Sequence, residues 1–229
     1  MQMVEMMKVH ENEHNGKILF FGDSICFGEG VSPQFSFVGL VSVALESELG
    51  NRCPRIINHS INGDTTRMAL DRVAKDLQAE CAETVYLQFG LNDCNYWHSD
   101  RGLPRVSANA FVANLTELVI RSHQFGARKV FLATNHRTEP DGPLEHKRSP
   151  LAPNSYLENL IIYNQLIRTV ADLTGSVLID IERAWLEEES LGRTASYLNQ
   201  DGIHLSRHGN DFYGKIILPF IKNSTSISA

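Results

Sequence analysis

Ser24, His204 and Asp201 are the residues with which this chain can do covalent chemistry. A serine hydroxyl attacks a carbonyl when a neighbouring base removes its proton, and histidine is such a base when a third group fixes its tautomer. Asp201-Gly202-Ile203-His204 sets a carboxylate three residues ahead of an imidazole, within reach of the nearer ring nitrogen. Ser24 follows Lys17-Ile18-Leu19-Phe20-Phe21-Gly22, a short apolar run ending in glycine. It therefore sits on the turn beyond a strand's carboxyl end, where open α/β sheets bind ligands. Parallel crossovers return every strand to that edge, so the long separation of Ser24 from His204 is no obstacle.

Acyl transfer also needs donors for the oxyanion of its tetrahedral intermediate. Two segments at strand-to-loop junctions offer them, Ser60-Ile61-Asn62-Gly63-Asp64-Thr65 and Phe89-Gly90-Leu91-Asn92-Asp93. Gly63 lets the backbone approach a ligand closely, and the Asn92 amide donates without adding charge. The Ser24 N–H is the third candidate donor. Taken singly, Gly22-Asp23-Ser24 reads as a turn with a helix N-cap, and Asp201-Gly202 as a turn. Asp23 and Asp93 read as capping or local hydrogen-bonding residues.

The four segments together resemble the SGNH hydrolases, or GDSL family, whose sequence blocks carry Ser, Gly, Asn and His in that order. The resemblance runs from Gly22-Asp23-Ser24 to Asp201-Gly202-Ile203-His204, with Ile25-Cys26 where the first block often has leucine after the serine. It implies Ser24, His204 and Asp201 as catalytic residues, and Ser24, Gly63 and Asn92 as the oxyanion hole. It also implies a carboxylic ester hydrolase acting on a small acyl ester, an acylated carbohydrate among the candidates, with no cofactor and no metal. An O-acyltransferase would use the same residues, and a silent binding module would keep the pocket for an acylated ligand.

Competing motifs lack context. His10-Glu11-Asn12-Glu13-His14 matches the H-E-x-x-H zinc pattern, but lies in a polar tail ended by Asn15-Gly16. Gly28-Glu29-Gly30 lacks the third glycine of a dinucleotide fingerprint. His208 has no acid three residues upstream, so it is a poor rival to His204.

The elements that must position these residues alternate between strand-like and helix-like runs. Candidate strands are Lys17 to Gly22, Arg55 to Ser60, Thr84 to Gly90, Arg128 to Asn135 and Ser176 to Glu182, nearly continuous in apolar residues as in a sheet covered on both faces. Phe111, Leu115, Leu118 and Ser122 mark a helix closed near Gly126. Leu157, Leu160, Ile161, Asn164, Ile167 and Ala171 mark another closed near Gly175, with Asn164 interrupting its stripe. A last helix, about Asn210 to Lys222, should turn Phe212, Ile216 and Phe220 inward, with Pro219 bending or shortening its end. The expected fold is α/β, a three-layer α/β/α sandwich with a mostly parallel five-stranded sheet of the flavodoxin-like SGNH type. Residues 17–222 read as a single domain between tails 1–16 and 223–229.

Two loops stand out. His136 to Asn154 holds four of the eight prolines with Arg137, His146, Lys147 and Arg148, and reads as a lid or binding loop whose Arg137 meets an anionic substrate. Tyr96 and Trp97, just past Asn92, read as walls of an apolar acyl pocket. A chain of 229 residues, 42% hydrophobic, can bury a full core, and a net charge of −6 argues against a nucleic-acid partner. No run approaches transmembrane length. The four cysteines lack C-x-x-C spacing and the N-terminus lacks an apolar signal region, so the expectation is a cytoplasmic protein with reduced thiols. Nothing in the sequence speaks to oligomeric state.

Overall fold

The computed structural model describes residues 16–139 and 149–225. The His10 to His14 motif and His146, Lys147 and Arg148 lie outside the described residues. Five parallel strands form one sheet: β1 (Lys17–Gly22), β2 (Arg55–Asn58), β3 (Thr84–Gln88), β4 (Lys129–Ala133) and β5 (Val177–Ile179). Their spatial order is β2-β1-β3-β4-β5, with Ile18 opposite both Ile56 and Thr84. The direction of strand addition reverses beside β1 and β3, which makes their carboxyl ends the switch point where doubly wound sheets hold ligands. Ser24 and Asn92 follow these two strands.

Helices cover both faces. On one, α2 (Phe37–Leu49) packs on α7 (Arg207–Thr225), which also meets α6 (Ile181–Ser190); on the other, α3 (Thr66–Asp76) packs on α4 (Ala108–Gln124) and α4 on α5 (Tyr156–Thr174). Short polar side chains start them. Ser36 accepts from Gly39 N–H, Thr65 from Met68, Ser107 from Ala110 and Asp180 from Arg183, while Ser155 and Glu158 close a capping box. The core joins sheet to helices through aromatic pairs: Phe20 with Tyr86 at 5.2 Å, Phe37 with Tyr213 at 5.4 Å, and Phe111 with Tyr163 at 4.9 Å on the opposite face.

Four of the five expected strands are longer in the sequence than in the sheet. Ser60, Gly90 and Asn135 lie beyond the last paired residue, where the chain leaves the ladder at the carboxyl edge to build loops, and Glu182 lies in the first turn of α6. Asn164 is fully buried on α5, where its Oδ1 accepts from Asn135 N–H at 2.8 Å and its Nδ2 donates to Asn135 O at 2.9 Å. It takes up the backbone of β4 just where the ladder stops. The final helix starts earlier and ends later than expected, at Arg207 and Thr225, and runs through Pro219. Pro219 is exposed, so water can satisfy the carbonyl its ring leaves unpaired. Tyr213, Ile217 and Ile221 form its buried stripe, and Phe212, Ile216 and Phe220 are only half-buried.

Candidate active site

Gly22 ends β1 where nothing larger fits, since a Cβ there would lie 2.7 Å from Gln88 O and 2.8 Å from Cys26 Cβ. The chain then turns into α1 (Ser24–Phe27), capped by Asp23, whose Oδ1 accepts from Ile25 N–H at 3.0 Å. Ser24 is the first residue of that turn and keeps 8% of its surface exposed. The hydroxyl is thus held on a tight, backbone-fixed corner beyond the sheet edge.

His204 reaches this corner from the loop before α7. Its Nε2 lies 2.9 Å from Ser24 Oγ, and its Nδ1 lies 2.6 Å from Asp201 Oδ2. Asp201 Oδ1 also accepts the N–H groups of Ile203 and His204, each at 2.9 Å. Desolvation would raise the Asp201 pKa, but the His204 side chain and these two amides outweigh it and hold the carboxyl below its usual range. The loop is closed on itself, with Asn199 N–H donating to His204 O at 2.8 Å.

Gly63 and Asn92 are joined through one residue. Asn92 Nδ2 donates to Asp64 O at 3.0 Å, which leaves its second amide hydrogen for a ligand. Gly63 has φ of +80°, a conformation that favours glycine, and the direction of its missing Cβ is open space. The loop is drawn to the Ser24 turn by Ile61 N–H, which donates to Gly22 O at 3.1 Å. The scaffold is completed by two side chains that the sequence reading did not single out, Arg72 and Arg105, and by Asp93, expected there as a capping or hydrogen-bonding residue. Arg72 of α3 bonds Asp64 at 2.6 Å, donates to His59 O at 2.6 Å and lies 4.1 Å over the Phe21 ring. Arg105 donates to Gly63 O at 3.1 Å. Asp93 accepts from Thr66 N–H at 2.8 Å and Thr66 Oγ1 at 2.6 Å, fixing the start of α3.

Residues 20–212 match the GDSL-like Lipase/Acylhydrolase family. The chain belongs to that family. The isoamyl acetate-hydrolyzing esterase 1 homolog of Homo sapiens is 26% identical over 230 residues, covering 92% of this chain and 83% of that protein. A lipase/acylhydrolase from Enterococcus faecalis superposes with a TM-score of 0.72 at 27% identity, covering 91% of this chain and 96% of that one. An acetylxylan esterase from Geobacillus stearothermophilus shares the fold, with a TM-score of 0.69 at 22% identity over 93% of this chain and 95% of that one. This chain is a carboxylic ester hydrolase of the GDSL-like type.

Around the Ser24 corner of this GDSL-like hydrolase, the two loops differ from what the sequence suggests. Tyr96 is buried at 3% exposure, whereas Trp97 is exposed and carries the Arg105 guanidinium 4.0 Å over its ring. Arg137 has an internal partner, with its Nε 3.5 Å from Oε1 of buried Glu182, which also takes Arg168 at 2.9 Å. The start of the proline-rich stretch is core rather than lid, since His136 and Thr138 are buried; at its far end Ser149 N–H docks on Tyr96 O at 3.0 Å. His208 lies exposed on α7. Among the described residues no helix is long and apolar enough to cross a membrane.

Proposed function

We propose that this hydrolase works by a serine acyl-enzyme mechanism, carried by one observation: His204 bridges Ser24 and Asp201 at 2.9 and 2.6 Å. His204 Nε2 takes the Ser24 proton as Oγ attacks the ester carbonyl, and Asp201 holds the imidazole with Nδ1 protonated and stabilises the cation that forms. The negative oxygen of the tetrahedral intermediate meets the N–H groups of Ser24 and Gly63 and the free Asn92 amide hydrogen. His204 then returns its proton to the departing alcohol, leaving an acyl ester on Ser24. Water repeats the sequence in reverse to release the acid.

The substrate is a small acyl ester of an apolar alcohol. Exposed apolar side chains sit on the segments that carry the reacting groups. Phe27 lies on the nucleophile turn, Ile61 on the Gly63 loop, and Trp97 against the Arg105 that holds Gly63. Leu103 and Leu151 extend that side, where Gly102 packs on the Leu151 backbone. Such a surface gains by covering an alkyl chain rather than a hydroxylated sugar. The name of the human relative, which refers to the ester of a short branched alcohol, agrees with this reading.

The test is turnover of p-nitrophenyl acetate, isoamyl acetate and an acetylated xylooligosaccharide by wild type and Ser24→Ala. The expected result is turnover of the first two, lost in Ser24→Ala with unchanged circular dichroism. An acetyl adduct on Ser24 should appear by mass spectrometry after rapid quenching. Wild-type turnover by Ser24→Ala would sink the mechanism, and preference for the sugar ester would sink the substrate class.

A further inference from the structure

Behind the site lies a buried polar group to which the chemistry above gives no role. His136, just past β4, has no exposed surface. Its Nε2 lies 2.7 Å from Ile203 O and its Nδ1 2.6 Å from Tyr213 Oη. A carbonyl oxygen only accepts, so Nε2 carries a proton. Tyr213 Oη in turn receives two N–H donors, the His136 backbone at 3.3 Å and Gln88 Nε2 at 3.4 Å, which directs its own proton to Nδ1. Both sides therefore demand one species, the neutral imidazole protonated at Nε2. Burial agrees with this, pushing the His136 pKa down to about 4. The Trp185 ring at 5.0 Å and the Tyr213 ring at 5.6 Å confine its orientation.

The acceptor is what gives this histidine a use. Ile203 O belongs to the peptide whose other end is the His204 N–H, and that N–H donates to Asp201 Oδ1 at 2.9 Å. One peptide plane is thus gripped at both ends, its carbonyl by His136 and its amide by the acid that orients His204. The adjoining peptide is held the same way, with Glu139 N–H donating to Gly202 O at 2.9 Å. The line continues into the sheet, where Gln88 Nε2 donates to Thr134 O at 3.2 Å and Gln88 Oε1 accepts from Tyr86 Oη at 3.1 Å. A rigid interior chain, built on β3, β4 and α7, therefore ends on the backbone of the catalytic loop.

We propose that His136 is a positioning residue for the reaction: by donating from Nε2 to Ile203 O it fixes the 203–204 peptide and so sets the reach of His204 toward Ser24. Donation to a carbonyl also strengthens the N–H of the same peptide as a donor, so it tightens the His204 amide on Asp201. The proposal rests on the serine mechanism for the roles of Ser24, His204 and Asp201. Among the described residues, the titratable groups facing His136 are Tyr213 from α7 and, across the loop, Asp201 and His204.

The experiment compares wild type, His136→Gln, His136→Leu and Tyr213→Phe on p-nitrophenyl acetate, with circular dichroism to establish folding and Ser24→Ala as the mechanism control. A glutamine amide can donate from about the place of Nε2, whereas leucine fills similar volume without a donor. Leucine should lower kcat on the order of 10–100-fold with KM little changed, as misplaced catalytic groups do. The acid limb of its kcat/KM profile should move to lower pH, because a loosely held Asp201 stabilises the His204 imidazolium less. Glutamine should restore kcat to within about threefold of wild type. Tyr213→Phe, which leaves Nδ1 without its donor, should shift both readings the same way by less. Equal kcat and an unmoved profile in the leucine and glutamine variants would overturn the proposal. So would wild-type behaviour of Tyr213→Phe, which decides the matter if His136→Leu does not fold. Activity remaining in Ser24→Ala would instead break the serine mechanism, so the two failures are distinguishable.

Discussion

Asp201 holds His204 at two separate points, accepting Nδ1–H on Oδ2 at 2.6 Å and the backbone N–H on Oδ1 at 2.9 Å. Ring and main chain are fixed by one carboxylate, so the Nε2 lone pair has a single direction in which to point. That direction is Ser24 Oγ, 2.9 Å away.

Asp201→Asn follows from that double hold. The amide oxygen can still accept from the Ile203 and His204 amides, so the loop should keep its shape, but an NH2 group now faces Nδ1. Two donors cannot share a hydrogen bond, so the imidazole must move its proton to Nε2 and lose its ability to accept from Ser24. A fall in kcat of about 10⁴ with KM nearly unchanged is the expected steady-state result. A loss of only tenfold would mean that the carboxylate is not what sets the tautomer.

Asn92→Ala separates two roles of one amide. Its Nδ2 already supports Asp64 O at 3.0 Å, so alanine removes both that support and the second amide hydrogen, proposed as an oxyanion donor. The oxyanion role predicts a kcat lowered by roughly 10²–10³ at similar KM, since the charge arises only in the transition state. The support role predicts a lower melting temperature. A drop in melting temperature with kcat unaltered would leave Asn92 as a prop alone.

Trp97 and Arg105 bear on which alcohol is accepted. Arg105 links the exposed indole to the Gly63 carbonyl, so Trp97→Ala should act on alcohol binding and Arg105→Ala on the donor loop itself. For Trp97→Ala, KM for isoamyl acetate should rise about tenfold while KM for methyl acetate stays level, about what one or two lost methylene contacts cost. Arg105→Ala should lower kcat on both esters alike. If Trp97→Ala treats the two esters equally, the indole does not line the alcohol site.

What could be read from the sequence was what is local. Asp201 and His204 are three apart and the strands are nearly continuous apolar runs, so both were legible, as was the place of Ser24 just past Gly22. His136 was not. It lies at the head of a loop rich in proline and charge, and its partners are 67 and 77 residues away. Arg72 and Arg105 look like ordinary surface cations until the fold brings them against Asp64 and Gly63. The face of α7 was misread by one residue, because Phe212 packs sideways on the Tyr197 ring at 5.0 Å and Tyr213 takes the inward position beneath His136. Helical periodicity gives a stripe, and the neighbours decide which edge of it is deepest.

The carboxyl next to Ser24 makes stability depend on pH. Asp23 is fully buried, its Oδ2 has no hydrogen-bond partner among the described residues, and burial pushes its pKa up to about 7, with the nearby Asp93 and Asp64 charges adding to the rise. Asp93 is raised in the same way, to about 6. For a group whose folded pKa lies above its unfolded value, the folded state binds the proton more tightly. Its contribution to stability is whole below the unfolded value of 3.8 and is lost as pH rises through the folded one. His136 has the opposite sign, with its folded pKa depressed, and so removes stability as pH falls from 6.5 toward about 4. Asp23→Asn keeps an oxygen for the Ile25 amide and cannot ionise, so it removes one descending contribution and leaves the His136 contribution in place. Melting temperatures of wild type and variant should therefore diverge with pH, the variant gaining on wild type from pH 5 to pH 8 and levelling off beyond. A constant gap across that range would mean that Asp23 ionises in the folded protein as readily as in the unfolded chain, and that burial does not raise its pKa.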